Sequence, residues 1–302
     1  MRGETGPRAL AIAIATTLVV SSGSARADLF HHTPKPAADT SASLDAIVAA
    51  TQKAIDEQRL LDASESLDRA YLSGAKDVRL SLLSGELQLA RGHYAEAVDA
   101  LKAADSAPLT RAMALEFEGI ALSMLDRSDE AFAALQDAVA ADPAAWRAWN
   151  ALAGEYDRRR DWTRAEAAYD HAMTGSDGAA IVLNNRGYSR LLQGRFDDAK
   201  ADLVAALEKK PDLTAARTNL RLAMAMKGEY DRATTAGAQE DEAALLNNAG
   251  FAAMMRGDYA QAETLLTRAM QAKGQYYARA SENLEIVKAL AARQKAAPVV
   301  SQ

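Results

Sequence analysis

GELQLARGHYAEA (85–97), GYSRLLQGRFDDA (187–199) and GFAAMMRGDYAQA (250–262) are one pattern written three times. Each opens on glycine, has a second glycine seven residues on, an aromatic two residues after that, and ends in alanine. The closing alanine extends the pattern to the rest of the chain. It stands at Ala63, Ala97, Ala131, Ala165, Ala199 and Ala233, a step of 34 residues taken five times, and again at Ala262 after a step of 29. A fixed period of this length marks stacked helix–turn–helix units, each burying its apolar face only against its neighbours. With the alanine as position 20, units start near 44, 78, 112, 146, 180, 214 and 243.

The other small residues keep the same frame. Position 8 is Gly85, Gly119, Ala153, Gly187 and Gly250, with Thr51 and Arg221 as departures, and position 27 is alanine in six units but Glu240 in the sixth. Positions 8 and 20 are expected where the two helices of a unit cross, because a larger side chain there forces the axes apart at about 1–3 kcal/mol. Position 15, expected to be the turn, holds Gly92, Gly194, Gly228 and Gly257, and glycine tolerates the left-handed backbone that ends a helix. Position 17 follows with Tyr94, Trp162, Phe196, Tyr230 and Tyr259, while Leu60 and Ser128 weaken units one and three. Pro143 and Pro211 at position 32 are expected to open the next helix. Unit six lacks five residues, and Thr234, Thr235 and Gly237 are weak helix formers, so a kink is expected there.

On these residues, from about 44 to 274, the chain resembles the tetratricopeptide repeat family. The resemblance implies an all-α, right-handed superhelical solenoid of about seven units whose first helices line a concave groove. Residues 275–295 read as a capping helix with Tyr277, Ala280, Leu284, Val287 and Leu290 on one stripe, and 296–302 as a disordered tail. Carried over by position, the groove candidates are Asn184, Asn185 and Tyr188 in unit five, Asn219 and Leu222 in unit six, and Asn247, Asn248 and Phe251 in unit seven. An asparagine amide both donates and accepts, so such a row can hold the backbone of an extended peptide. Positions 5 and 6 of these three units hold no basic residue, which argues against an acidic-tail clamp.

Composition limits the chemistry. No cysteine means no disulfide, thiolate site or lipid anchor, and His31, His32, His93 and His171 read as solvated or structural. Neither a phosphate loop nor a nucleophile elbow nor a zinc-binding His-Glu-x-x-His occurs, so no enzyme, cofactor or metal is expected. Arg2 and Arg8, the apolar run 9–20 and Ala25-Arg26-Ala27 read as an export signal cleaved after Ala27, with 28–43 a flexible tether. Cleavage there leaves 32 basic against 40 acidic residues, a formal charge of −8. An acidic product lacks the basic footprint that nucleic acid requires. The expected location is the periplasm, or the periphery of the outer membrane.

A narrower resemblance lies in the last third. Leu246-Asn247-Asn248-Ala249-Gly250-Phe251, Arg256-Gly257-Asp258-Tyr259 and Tyr276-Tyr277-Ala278-Arg279-Ala280 with Asn283-Leu284 resemble the end of TadD-type proteins of the tight-adherence (Flp) pilus machinery. That resemblance implies a scaffold binding a protein or peptide partner, such as a secretin or pilus assembly component. An adaptor for cell-wall or outer-membrane assembly, or a non-catalytic subunit of an envelope enzyme, stays open beside it.

Overall fold

The computed structural model describes residues 44–237, 241–274 and 277–296. The signal, the tether and residues 297–302 of the expected tail lie outside the described residues, while Ala296, expected in the tail, is helical. Unit one pairs α1 (Leu44–Asp56) with α2 (Leu60–Leu72), unit two α3 (Val78–Arg91) with α4 (Tyr94–Asp105), and unit three α5 (Arg111–Met124) with α6 (Ser128–Ala141). Unit four pairs α7 (Trp146–Arg158) with α8 (Trp162–Gly175), and unit five α9 (Ala180–Leu192) with α10 (Phe196–Lys209). Unit six has α11 (Thr214–Met226) and the short α12 (Tyr230–Thr234), and unit seven α13 (Glu242–Met255) and α14 (Tyr259–Lys273). A last helix, α15 (Ala278–Ala296), packs on α13 and α14 through Tyr277, Ala280, Leu284, Val287 and Leu290. No described helix is long and apolar enough to cross a membrane.

The turn closes identically in all seven units. The residue at position 15 is left-handed whether or not it is glycine: Gln58, Asp126 and Arg160 have φ of 59°, 57° and 56°, beside 77° at Gly92 and 75° at Gly194. The next N–H then reaches back five residues, as in Arg59 to Ala54 O (2.8 Å), Arg127 to Leu122 O (3.0 Å) and Arg195 to Arg190 O (2.8 Å). This is the closure that satisfies the orphan carbonyls of a helix end. Units one and three, weak by sequence, therefore fold like the rest, because packing of both helices outweighs one strained residue. The strain remains measurable. Arg160→Gly is expected to stabilise the protein by about 0.5–1 kcal/mol, and Gly194→Ala, whose new Cβ meets nothing within 4 Å, to destabilise it by a similar amount. Urea titration checks both, and a neutral Arg160→Gly would refute the strain.

Helix crossings rest on a partner that the sequence frame did not name. A Cβ on Gly119, Gly187 or Gly250 would lie 2.5, 2.8 or 2.7 Å from the Cγ of Leu135, Leu203 or Leu266, all at position 24 of the same unit. The position-20 alanines are all buried beneath the crossing, at 0–2% exposure. Pro143 and Pro211 stand three residues ahead of α7 and α11, in the connecting turns, where they end one unit and do not begin the next helix. In unit six the second helix stops at Thr234. The hydroxyls of Thr234 and Thr235 bond back to the carbonyls of Tyr230 (2.9 Å) and Asp231 (2.8 Å), which competes with helix propagation.

Each odd-numbered helix approaches the next odd-numbered one, from α1 through to α15, whereas no two even-numbered helices approach among the described residues. The stack therefore curves with the first helices inside and the second helices splayed outside.

Candidate partner-binding face

The resemblance assigns helix positions 2, 5, 6, 9, 12 and 13 to the inner face, and burial divides them. Position 12 belongs to the core: Leu191, Ala225 and Met254 are buried, as are Ser123 and Asp157. Position 13 reaches solvent, with Leu192 at 48% and Met255 at 49% exposure, joined on α15 by Ile286 at 40%. Tyr188, Leu222 and Phe251 at position 9 are half-buried.

The asparagines form a ladder between neighbouring first helices. Asn185 donates to Asn150 Oδ1 (3.2 Å), Asn219 to Asn184 Oδ1 (3.1 Å), and Asn283 of α15 to Asn247 Oδ1 (3.1 Å). Each rung runs from position 6 of one helix to position 5 of the helix before it. Within a helix, Asn184 donates to Asn185 (3.0 Å) and Asn247 to Asn248 (3.4 Å). Asn184 and Asn247 are buried, at 2% and 3% exposure, and their amides are engaged inside the stack. Of the candidate set, Asn185, Tyr188, Asn219, Leu222, Asn248 and Phe251 remain accessible. One rung is missing. Position 5 of unit six is Thr218, so the exposed Asn248 has no amide opposite it, and its Nδ2 makes no hydrogen bond among the described residues. Asn150 and Asn283 as rung partners went unnamed in the sequence reading; the frame places both where they are, at positions 5 and 6.

Chemistry changes along this face. Units five to seven are uncharged at positions 2, 5, 6, 9 and 13, whereas units one to four carry charges at these positions, among them Asp56, Glu86, Glu116, Arg147 and Arg158. Glu116, at 6% exposure, lies beside the Ala148 backbone N–H in the first turn of α7, whose own cap residue Ala145 supplies no side-chain bond. Burial lifts its pKa to about 7; the charges of Glu86 and Asp142 add to the rise, and Arg147 opposes it. Burial also raises Glu86, whose carboxylate accepts from Gln52 Nε2 at 3.1 Å.

Unit four clamps its neighbours through two buried acids on α7. Glu155, at 1% exposure, reaches back to Ser123 (2.7 Å) and Ser128 (2.6 Å) and pairs with Arg158 (3.3 Å) and Arg159 (3.1 Å). Asp157 accepts from Ser189 (2.6 Å) in unit five and Tyr169 (2.9 Å) in its own unit, and burial raises it to about 6. Within unit five, Arg186 and Arg190 of α9 bond the buried Asp202 of α10 at 2.8 and 2.7 Å, while Arg186 also reaches Asp170 of unit four at 3.2 Å. His171 stacks on Trp149 at 4.4 Å and His93 lies 3.1 Å from Gln88, both local contacts. No cluster of metal-ligating side chains occurs among the described residues.

No protein-family model and no curated protein matches the sequence. Solved structures do. A tetratricopeptide repeat protein from Parabacteroides merdae is 16% identical with a TM-score of 0.52, over 81% of this chain and 98% of that one. A chain of the APC/C hetero-tetramer Cut9–Hcn1 is 14% identical with a TM-score of 0.62; the match covers 81% of this chain but only 49% of that one. A thermophilic tetratricopeptide repeat protein of Thermus thermophilus is 19% identical with a TM-score of 0.53, over 60% of this chain and 98% of that one. At such identities the likeness is one of fold: this chain folds as a tetratricopeptide repeat solenoid.

Proposed function

We propose that the chain is a non-enzymatic scaffold that holds an extended, uncharged segment of a protein partner along the inner face of units five to seven. The observation that carries this reading is the accessible, charge-free surface of Tyr188, Leu192, Asn219, Phe251 and Met255, with the unfilled rung at Asn248 and Thr218 in its middle. The apolar groups supply contact area, and Asn248 retains the donors a peptide carbonyl needs. Asn185 and Asn219 serve chiefly as rungs that fix the helix spacing. The setting we propose is the periplasm, in assembly of a tight-adherence pilus or related secretion apparatus. It rests on the export-signal reading of residues 1–27 and on the TadD-like residues of the last third.

Affinity capture from envelope extracts tests the setting. A secretin or pilus component, held by a protein whose N-terminus is Asp28, supports it; an unprocessed Met1 or an exclusively enzymatic partner refutes it. Asn248→Ala is expected to weaken capture about tenfold and Phe251→Ala about thirtyfold, while the exposed outer control Arg268→Ala leaves it unchanged. Because the surface is uncharged, affinity is expected to vary little with salt. Full affinity in both folded inner-face variants would remove the groove assignment.

A further inference from the structure

We propose that the inner face of units one to three is a second binding site, which seats a basic side chain of a protein segment distinct from the one held at units five to seven. Three carboxylates cross this face in one diagonal row. Asp56 is at position 13 of α1, Glu86 at position 9 of α3 and Glu116 at position 5 of α5. Each therefore stands one first helix further on and about one turn nearer the helix start. The row sinks as it goes, from the exposed Asp56 through the half-buried Glu86 to Glu116 at 6% exposure. Gln52 Nε2 joins the first two, donating to Asp56 Oδ1 at 3.2 Å and to both oxygens of Glu86 at 3.1 Å.

No cation answers this row. Among the described residues, no basic group lies within 4 Å of Asp56, Glu86 or Glu116. Buried acids elsewhere are satisfied inside the stack: Glu155 by Arg158 and Arg159, Asp202 by Arg186 and Arg190, and Asp157 by the hydroxyls of Ser189 and Tyr169. Glu116 has neither a cation nor a side-chain donor, and a buried carboxyl without either is costly to ionise.

Its charged neighbours are Glu86 on α3, Arg147 on α7 and Asp142 in the turn before α7. The charges of α4 and the start of α6, Lys102, Asp105, Arg127 and Glu130, gather instead at Glu118, on the other side of α5. Arg147 is exposed and lies over the Trp146 ring, 4.6 Å from its centre. A cation from outside is therefore the group the row lacks. It would offset the repulsion between Glu86 and Glu116 and supply the missing donors. A guanidinium suits best, because its fork can bond two carboxylates at once. Binding is also coupled to protonation, since a cation draws Glu116, whose pKa burial lifts to about 7, into its ionised form.

The probe is a blocked glycine–serine peptide with one central arginine, titrated into the full chain by calorimetry at low salt, beside the same peptide carrying the neutral isostere citrulline. The arginine peptide is expected to bind about tenfold more tightly at about pH 8 than at about pH 6, following the ionised fraction of Glu116, and the citrulline peptide to bind weakly at both. Glu116→Gln is expected to lose that tenfold and to flatten the pH dependence. Arg147→Ala, which removes a repelling charge, is expected to tighten binding about threefold. Glu208→Gln, exposed on α10, removes the same charge as Glu116→Gln and is expected to change nothing. Equal binding of the arginine and citrulline peptides, or full affinity for arginine in folded Glu116→Gln, overturns the proposal. Neither result touches the reading of units five to seven, since no residue there is altered.

Discussion

Gly85→Ala is expected to destabilise the protein by about 1–3 kcal/mol, although alanine is the better helix former. A Cβ there would lie 2.5 Å from Cδ2 of Leu101 and overlap its Cγ, the branch point of a side chain with no exposed surface. The leucine cannot swing clear, so α3 and α4 must separate. Leu101→Ala alone is expected to cost about 2–5 kcal/mol through the cavity it leaves. Combined, the two changes should cost at least about 1 kcal/mol less than their sum, because each relieves the other. Gly154→Ala is the control: its Cβ would meet nothing within 4 Å, and it should stabilise by about 1 kcal/mol. Urea unfolding followed by circular dichroism measures all four. Tryptophan fluorescence adds a local probe, since Trp146, Trp149 and Trp162 all belong to unit four. Strict additivity would mean that the glycine and the leucine do not share a crossing.

A second large effect is expected from Glu116→Gln, and it should depend on pH. Burial raises the folded-state pKa of Glu116 from 4.5 to about 7, so between those values the folded chain holds a proton that the unfolded chain releases. Stability from this group is therefore lost as pH rises through that window, and above it the fold carries the full cost of an ionised, desolvated carboxylate. Glutamine does not titrate, and it keeps the size and shape of the carboxyl it replaces. The variant is expected to match the parent near about pH 5 and to exceed it by about 2–3 kcal/mol near about pH 8. A stability difference that stays constant with pH would show that Glu116 ionises freely.

The repeat frame was legible because a helix crossing tolerates only small side chains, and that local steric demand recurs wherever the crossing recurs. The seven alanines from Ala63 to Ala262, the glycines at Gly85, Gly119, Gly187 and Gly250, and the shortened sixth unit were all readable without coordinates. So was the stripe on α15, because helical periodicity lies within one element. Glycine marked the turn in four units but missed Gln58, Asp126 and Arg160, whose left-handed backbone is imposed by the packing of two helices against each other.

Burial of polar groups followed another rule. Asn184 and Asn185 are adjacent in the chain, yet one is buried and the other accessible, because a neighbouring first helix covers only one of them. The same holds for Glu116, which looks like any helix-surface acid until α7 closes over it. The sequence by itself determined the period, the crossings and the class of architecture, since each depends on side-chain size at a repeated local position. Only the tertiary structure decided which amides became rungs, which acid lost its solvent and where the rungs stop, since these depend on what stands opposite in the next unit.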